Sequence, residues 1–536
     1  MTPQEENMMA DNRILIYDTT LRDGAQAEGV TFSPVSKIHV AQMLDSFGVD
    51  YIEGGFAASN PKDMAFFKEI KKVELKHAKI AAFGSTRRAG IPVEEDRGAL
   101  ALIEADTEVC TIFGKSWLLH VEEVLKTTAE ENLGMIKDTC RFLKEHGKEV
   151  VYDAEHFFDG YKDNPDYAID TLHAAAEGGA DVLVLCDTNG GCLSHEVFEI
   201  TQKIETLFDI PIGAHTHNDS ETGVANAMEA VRAGAQHVQG TMNGFGERCG
   251  NCNLISLIAN IIKKTPYTCL EDPGQLKNLK AVSQFVNEQA NLRDNQRAPF
   301  VGESAFAHKA GMHVDGVRKA AASFEHVVPE DVGNSRRILI SELSGASNVM
   351  DKLLEMGLEN IDRKSPEIRE ILSKMEEMEQ EGYVYEAADA SFKMLIKKVL
   401  KAHKSFFELD GFRVIVEKRS KEEACISEAS IKLRVDGESA FTVGEGDGPV
   451  DALNVALQRA LSTFFPSIKE VHLADYRVSI LDPDEATGAK TRVQIESTDG
   501  SANWGTVGVS ENIIEASWEA LVDGVEYKLF LDEEQE

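Results

Sequence analysis

The sequence predicts an α/β protein: a (β/α)8 TIM barrel, then a mainly helical linker region, then a C-terminal α+β domain of duplicated β–α units. Three observations carry this reading. Eight near-continuous apolar runs alternate with helix-period segments over residues 13–283. Residues 284–403 keep the helical period without a regular strand pattern. From 404 to 532 alternating strands appear, and Thr442-Val443-Gly444 returns as Thr506-Val507-Gly508. Ala452, Ala456 and Leu457 return at the same offset as Ala516, Ala520 and Leu521, which marks a duplicated unit.

The strand candidates are 13–19, 51–56, 79–84, 108–113, 149–155, 181–187, 211–217 and 235–242. Their unbroken apolar character is that of strands buried on both faces. Helix-period segments such as 36–47 lie between them. Several stop at glycine just before the next strand, as in Phe47-Gly48-Val49 and Glu177-Gly178-Gly179. Eight such units in about 250 residues fit a closed barrel, and the alternative, an open doubly wound sheet, rarely needs eight. Beyond the barrel, 299–318 is rich in Gly and His and reads as a functional loop, and 365–382 reads as a charged, solvated linker helix. Each half of the duplicated tail reads as strands, a Gly-containing turn and a helix.

The charge balance, 55 Lys+Arg against 91 Asp+Glu, gives a net charge of −36. That repels phosphate backbones and anionic lipid, so neither nucleic acid nor membrane is an expected partner. No stretch approaches the roughly 20 apolar residues of a membrane span, and 254–262 is only a short buried run. The N-terminus lacks a signal-peptide core, and the eight cysteines are scattered as reduced thiols are, so the expected compartment is the cytoplasm. Cys249-x-x-Cys252 has no second pair and is weak evidence for zinc.

The chemistry-bearing pattern is His215-Thr216-His217 at the end of the seventh strand candidate. Strand side chains alternate faces, so both imidazoles point one way, toward the mouth where barrel active sites lie. Alone, the pair fits either a metal site or two ordinary histidines. Asp23, just past the first strand, and Asn251, just past the eighth, reach the same mouth, since those strands adjoin in a closed barrel. A carboxylate, two imidazoles and an amide oxygen suit Mg²⁺ or Mn²⁺, with Zn²⁺ also possible.

Nine segments carry a more specific resemblance: 17–29 YDTTLRDGAQAEG, 58–63 ASNPKD, 81–88 AAFGSTRR, 112–117 IFGKSW, 152–165 YDAEHFFDGYKDNP, 185–191 LCDTNGG, 215–219 HTHND, 243–251 NGFGERCGN and 504–529 WGTVGVSENIIEASWEALVDGVEYKL. On these the chain resembles the 2-isopropylmalate synthase, homocitrate synthase and citramalate synthase family over nearly its whole length. The resemblance implies an acyltransferase that condenses acetyl-CoA with a 2-oxo acid. Pyruvate, giving citramalate on a route to isoleucine, is the expected acceptor, and the 2-oxo acids of 2-isopropylmalate or homocitrate synthesis are the alternatives. It implies metal ligands at Asp23, His215 and His217, with Asn251 in or near the shell. Arg22 then polarises the oxo-acid carbonyl, Thr188 contacts its carboxylate, and Glu155 shapes the acceptor and acyl sites. His313, or else His308, acts as the base. A homodimer whose tail binds isoleucine as feedback inhibitor is also implied, the amino acid's carboxylate docking on helices that follow Gly444–Gly448 and Gly508.

Two other classes compete. A biotin-dependent carboxyltransferase also uses an HxH barrel site, yet the chain has no Met-Lys-Met acceptor. An amino-acid sensor on an inactive barrel predicts lost ligands, yet Arg22, Asp23, His215 and His217 are all present. The chain departs from the family pattern at Phe324 (often Tyr), at Cys252 (often Ala) and at Phe56-Ala57-Ala58 (often Trp-Pro-Gly).

Overall fold

The structure is a computed structural model that describes residues 12–58, 61–308, 311–338, 346–356, 365–418, 420–421, 424–481 and 488–535. The chain forms two compact units, Met1–Phe306 with Glu325–Arg336, and Ala307–Phe324 with Arg337–Glu536.

The first unit is a closed barrel of eight parallel strands in chain order: β1 Leu15–Asp18, β2 Tyr51–Phe56, β3 Lys79–Ser85, β4 Val109–Lys115, β5 Glu149–Glu155, β6 Val182–Asp187, β7 Ile212–Thr216 and β8 His237–Gly240. β8 returns to pair with β1, Leu15 opposite His237 through Asp18 opposite Gly240. Around it lie α1 Pro34–Phe47, α2 Pro61–Ile70, α3 Arg97–Ala105, α4 Ala129–Glu145, α5 Phe157–Asp163, α6 Pro165–Gly178, α7 Ser194–Glu205, α8 Gly223–Arg232, α9 Leu254–Lys264 and α10 Leu279–Gln289.

Local chemistry sets several helix ends. Ser33 accepts the backbone N–H of Ser36 ahead of Pro34, and Gly48 closes α1 at φ 96°. Asn164, ahead of Pro165, caps α6, and Gly179 closes it at φ 91°. The outward faces of the strands bury Ile16, Ile52, Ile112, Leu183 and Leu185 against the helices. Each such side chain contributes about 1.5–3 kcal/mol when fully buried. The inward faces form a separate plug of Tyr17, Tyr51, Ala81, Val109, Val151, Val182, Val184 and Cys186.

In the second unit, β9 Ala307–His308 and β10 Arg337–Ile338 form a short parallel pair, and α11 spans Gly311–Ala320. The stretch read as a loop at 299–318 therefore contains a strand and most of a helix. Its glycines, Gly311 and Gly316, mask the helical period in the sequence. α12 Ala346–Glu355, α13 Pro366–Glu381 and α14 Asp389–Val399 follow. α13 is capped by Ser365 and Gly382, but it is not a solvated strut. It buries Ile368, Ile371 and Met375 in a cluster with Val349, Leu353, Phe392 and Ile396.

The duplicated tail is two three-stranded antiparallel sheets, β11 Glu408–Glu417, β12 Ile426–Val435, β13 Glu438–Gly446 and β14 His472–Ile480, β15 Thr491–Thr498, β16 Asn503–Ser510. α15 Pro449–Leu461 follows the first sheet and α16 Ile513–Gln535 the second. The repeated residues do the same work twice. Thr442 Oγ1 donates to the Ala456 carbonyl at 2.7 Å, and Thr506 Oγ1 to the Ala520 carbonyl at 2.8 Å. Gly444 and Gly508 sit within strands, not turns. A Cβ would lie 2.6 Å from Ala456 N at Gly444 and 2.1 Å from the Ala516 carbonyl at Gly508, so close helix approach demands glycine at both. Near the helix starts, Asp451 accepts the Asp447 backbone N–H at 3.0 Å and Asn512 accepts the Ile514 N–H at 2.9 Å, while Gly448 begins α15 without a side-chain cap.

An imidazole packs against the aromatic end of the plug. His237 is wholly buried, with Tyr17 at 5.3 Å and Tyr51 at 5.6 Å between ring centroids. Neither of its ring nitrogens has a hydrogen-bond partner among the described residues. Burial pushes its imidazole down to about 3. An unfolded histidine titrates near 6.5, so below that pH the unfolded chain binds a proton the barrel refuses, and stability rises with pH through this window. Between pH 7.5 and 5.5 this group removes about 1.4 kcal/mol of stability. Denaturant unfolding at the two pH values should give a loss smaller by that amount in His237→Leu than in the parent. Equal losses would refute the assignment.

Candidate active site

The C-terminal ends of β1 and β7 bring three polar side chains to one point inside the mouth of the barrel. Asp23 follows β1, His215 lies in β7, and His217 follows it directly. All three are buried, and each offers a ligand atom within 4.8 Å of the others. His215 Nε2 lies 3.2 Å from His217 Nε2. Asp23 Oδ2 is 3.5 Å from the first imidazole and 4.0 Å from the second. The shared face predicted from the i, i+2 spacing is the one observed.

Asn251 joins this group. A β-bridge pairs it with His217. Its Nδ2 donates to the Phe245 carbonyl at 3.2 Å, while its buried Oδ1 has no hydrogen-bond partner among the described residues. Gly246, at φ 149°, gives the amide room, since a Cβ there would meet Asn251 Nδ2 at 2.2 Å.

Electrostatics set the protonation states. Burial pushes the Asp23 carboxyl up, but Arg22 and the two imidazoles outweigh it and hold the group down at about 2. Burial pushes both imidazoles down, His217 to about 4. At neutral pH the site therefore holds one carboxylate and two neutral imidazoles, the forms that bind a divalent cation. The Asn251 side chain also reaches Asp23 and helps hold its carboxyl down. This N/O set fits a six-coordinate ion with open positions.

Arg22 stands beside it. Its Nε donates to Glu53 at 2.5 Å, its Nη1 to Asp23 at 3.0 Å, and its guanidinium carbon lies 3.7 Å from the centre of the Phe83 ring. Glu53, wholly buried in β2, also accepts the Tyr17 hydroxyl at 2.6 Å and the Thr19 hydroxyl. A cavity of about 320 Å³ opens next to Arg22, lined by Leu21, Gln26, Phe32, Lys37 and Phe56 among others. Phe56, at one of the departures from the family pattern, packs edge-on against Phe83.

The remaining predicted residues are placed as follows. Glu155 ends β5 and forms an ion pair with Lys115, its register partner at the end of β4. Thr188 follows β6. Its hydroxyl accepts the His156 backbone N–H at 2.9 Å, and its carbonyl accepts from Arg248 at 2.7 Å. His313 is exposed on α11 of the second unit, its ring 5.4 Å from that of Phe324, the position where the family often carries Tyr. His308 lies in β9 of the same unit. Cys249 is exposed and Cys252 wholly buried, so the CxxC pair faces two different environments.

Three buried polar residues went unread in the sequence: Glu53, Asp153 and Gln239. Each sits at an inward position of a barrel strand, and the available signal was a charged or amide side chain inside an otherwise apolar run.

Comparison with known proteins gives three matches along the chain. The HMGL-like family model matches residues 13–286, the homocitrate synthase post-HMGL domain-like model residues 300–382, and the LeuA allosteric (dimerisation) domain model residues 386–529. The chain is similar to the (R)-citramalate synthase of Aquifex aeolicus, 52% identical over 98% of this chain and 99% of that one. The (R)-citramalate synthase of Geobacter sulfurreducens is likewise 52% identical, over 98% and 99%. The 2-isopropylmalate synthase of Methanocaldococcus jannaschii is 30% identical over 97% and 95%. The chain belongs to the (R)-citramalate synthase family.

Proposed function

We propose that this chain condenses acetyl-CoA with pyruvate and water to give (R)-citramalate and CoA. The observation that carries the reading is the buried convergence of Asp23, His215 and His217 beside Arg22 and an open cavity. The far higher identity to (R)-citramalate synthases than to a 2-isopropylmalate synthase favours pyruvate as acceptor.

Asp23, His215 and His217 would hold the divalent ion, Mg²⁺ or Mn²⁺, with Asn251 Oδ1 in reach of its shell. Bound there, the ion supplies a Lewis acid that polarises the ketone of the oxo acid. Arg22 has Nε and Nη1 anchored, and its Nη2 has no partner among the described residues, so it can donate to the oxygen that gains charge. Thr188, with its hydroxyl oxygen already accepting from His156, has its proton left to donate to the substrate carboxylate. Glu155, neutralised by Lys115, shapes the acyl site. His313 removes a methyl proton from acetyl-CoA. The new C–C bond joins the acetyl methyl carbon to C2 of pyruvate, and the ketone oxygen takes up a proton. Water then cleaves the thioester, releasing CoA as a thiol and making the sequence irreversible.

The tail supports assembly as a homodimer and regulation by an amino acid, in keeping with the LeuA allosteric (dimerisation) domain it matches. Its sheets leave Phe441 and Ile480 more than three-fifths exposed, as an unpaired apolar face would. Isoleucine is the proposed effector. Its carboxylate is proposed to dock at the starts of the helices that follow the two sheets, where Gly448 leaves the first helix without a side-chain cap. Among the described residues no helix is long and apolar enough to cross a membrane, and the cytoplasm is the proposed site of action.

Two measurements test this. With Mn²⁺ or Mg²⁺ and a panel of 2-oxo acids, free-thiol release should show the highest kcat/KM for pyruvate, and a maximum at 2-oxoisovalerate or 2-oxoglutarate would reassign the acceptor. Titrating isoleucine against that activity should inhibit it, while valine and leucine act more weakly. Activity unchanged by saturating isoleucine would remove the effector assignment.

A further inference from the structure

Beneath the mouth of the barrel, a chain of hydrogen bonds runs from a buried acid to one of the imidazoles. Asp153 Oδ1 on β5 accepts from Gln239 Nε2 on β8 at 2.8 Å. Gln239 Oε1 lies 2.8 Å from His215 Nδ1. Gln239 is wholly buried, Asp153 is 4% exposed and His215 5%. An amide oxygen only accepts, so in this arrangement Nδ1 of His215 carries the proton and Nε2 presents its lone pair. Nε2 is the nitrogen that faces His217 and Asp23.

As placed, Asp153 Oδ1 accepts from Nε2 and orients the Gln239 amide from below. Turned over, it would point its oxygen at the Asp153 carboxyl and its N–H groups at His215 Nδ1. The imidazole proton would then move to Nε2, into the face shared with His217 and Asp23, where it would block ligation. His217 has no such partner: its buried Nδ1 is without a hydrogen bond among the described residues. The two imidazoles are thus unequal, and only His215 has its tautomer set by the protein.

We infer that Asp153 and Gln239 are positioning residues that lock His215 in the ligating tautomer, so the polar side chains just beneath the mouth set its affinity for a divalent cation. The inference rests on the metal reading of Asp23, His215 and His217. Partners that orient a ligating histidine in this way are typically worth about 10–100-fold in metal affinity. Glu53 does not share this role, since its oxygens serve Tyr17, Thr19 and Arg22.

The test is Mn²⁺ binding to the full-length chain, read from the electron paramagnetic resonance signal of free Mn²⁺, with folding checked by circular dichroism. The parent should bind one Mn²⁺ per chain, and Asp23→Asn should abolish that binding. Gln239→Leu should weaken the affinity by about 10–100-fold. The double variant Asp153→Asn, Gln239→Glu rebuilds the chain with donor and acceptor exchanged, and should bind within about threefold of the parent; this rescue is the readout that a merely structural role would not give. Parent-like affinity in folded Gln239→Leu would overturn the inference while leaving the metal site intact. So would a double variant no better than Gln239→Leu. Absence of Mn²⁺ binding by the parent would overturn both the inference and the metal reading. Should Gln239→Leu fail to fold, Gln239→Met, closer in shape, carries the same expectation.

Discussion

Arg22 is buried between two carboxylates, and the mouth of the barrel is organised around that contact. Glu53 holds its Nε, Asp23 its Nη1, and Phe83 lies beneath its guanidinium plane. The same Glu53 takes the Tyr17 and Thr19 hydroxyls, which ties the site to the aromatic plug below. Removing one partner of a buried ion pair leaves an uncompensated charge and typically costs about 3–5 kcal/mol. Here the pairing does more than offset desolvation. It keeps Asp23 ionised although burial opposes it, and it fixes the carboxylate where the imidazoles of β7 converge.

Topology brings together what the sequence keeps far apart. Closure of β8 onto β1 sets the loop after residue 18 beside the loop after residue 240. Pairing of β7 with β8 puts His215 across from Gln239 in register. A bridge from His217 to Asn251 then closes the site from above. The barrel interior is consequently layered, apolar and aromatic at the bottom, with a belt of Glu53, Asp153 and Gln239 above it and the Asp23, His215, His217 group at the top. Burial that keeps both imidazoles neutral and a cation that keeps Asp23 charged act together, and each would be less useful without the other.

Much of this was legible in the residues. The HxH spacing fixed a shared face because strand side chains alternate. Asp23 and Asn251 could be placed at the same mouth because closure makes the first and last strands neighbours. The belt was not legible, because a strand buried on both faces carries no polar–apolar alternation to mark the inward side. Nothing in YIEGGF, VVYDAE or HVQG says that Glu53, Asp153 and Gln239 point into the barrel. Glycine misled twice. Gly311 and Gly316 made a helix read as a loop, and Gly444 and Gly508 read as turns when their role is to let a helix lie against a strand. The duplication itself was legible because the same packing is built twice: a Thr hydroxyl at 442 and 506 reaches the helix backbone, and small residues let helix and strand lie close.

The account stands on a single cation shared by Asp23, His215 and His217. Anomalous diffraction from crystals grown with Mn²⁺, recorded on both sides of the manganese edge, tests it most directly. The account predicts one strong peak per chain within coordination distance of Asp23 Oδ2, His215 Nε2 and His217 Nε2. A peak held by other residues, or none at this position at full Mn²⁺ occupancy elsewhere, would contradict it.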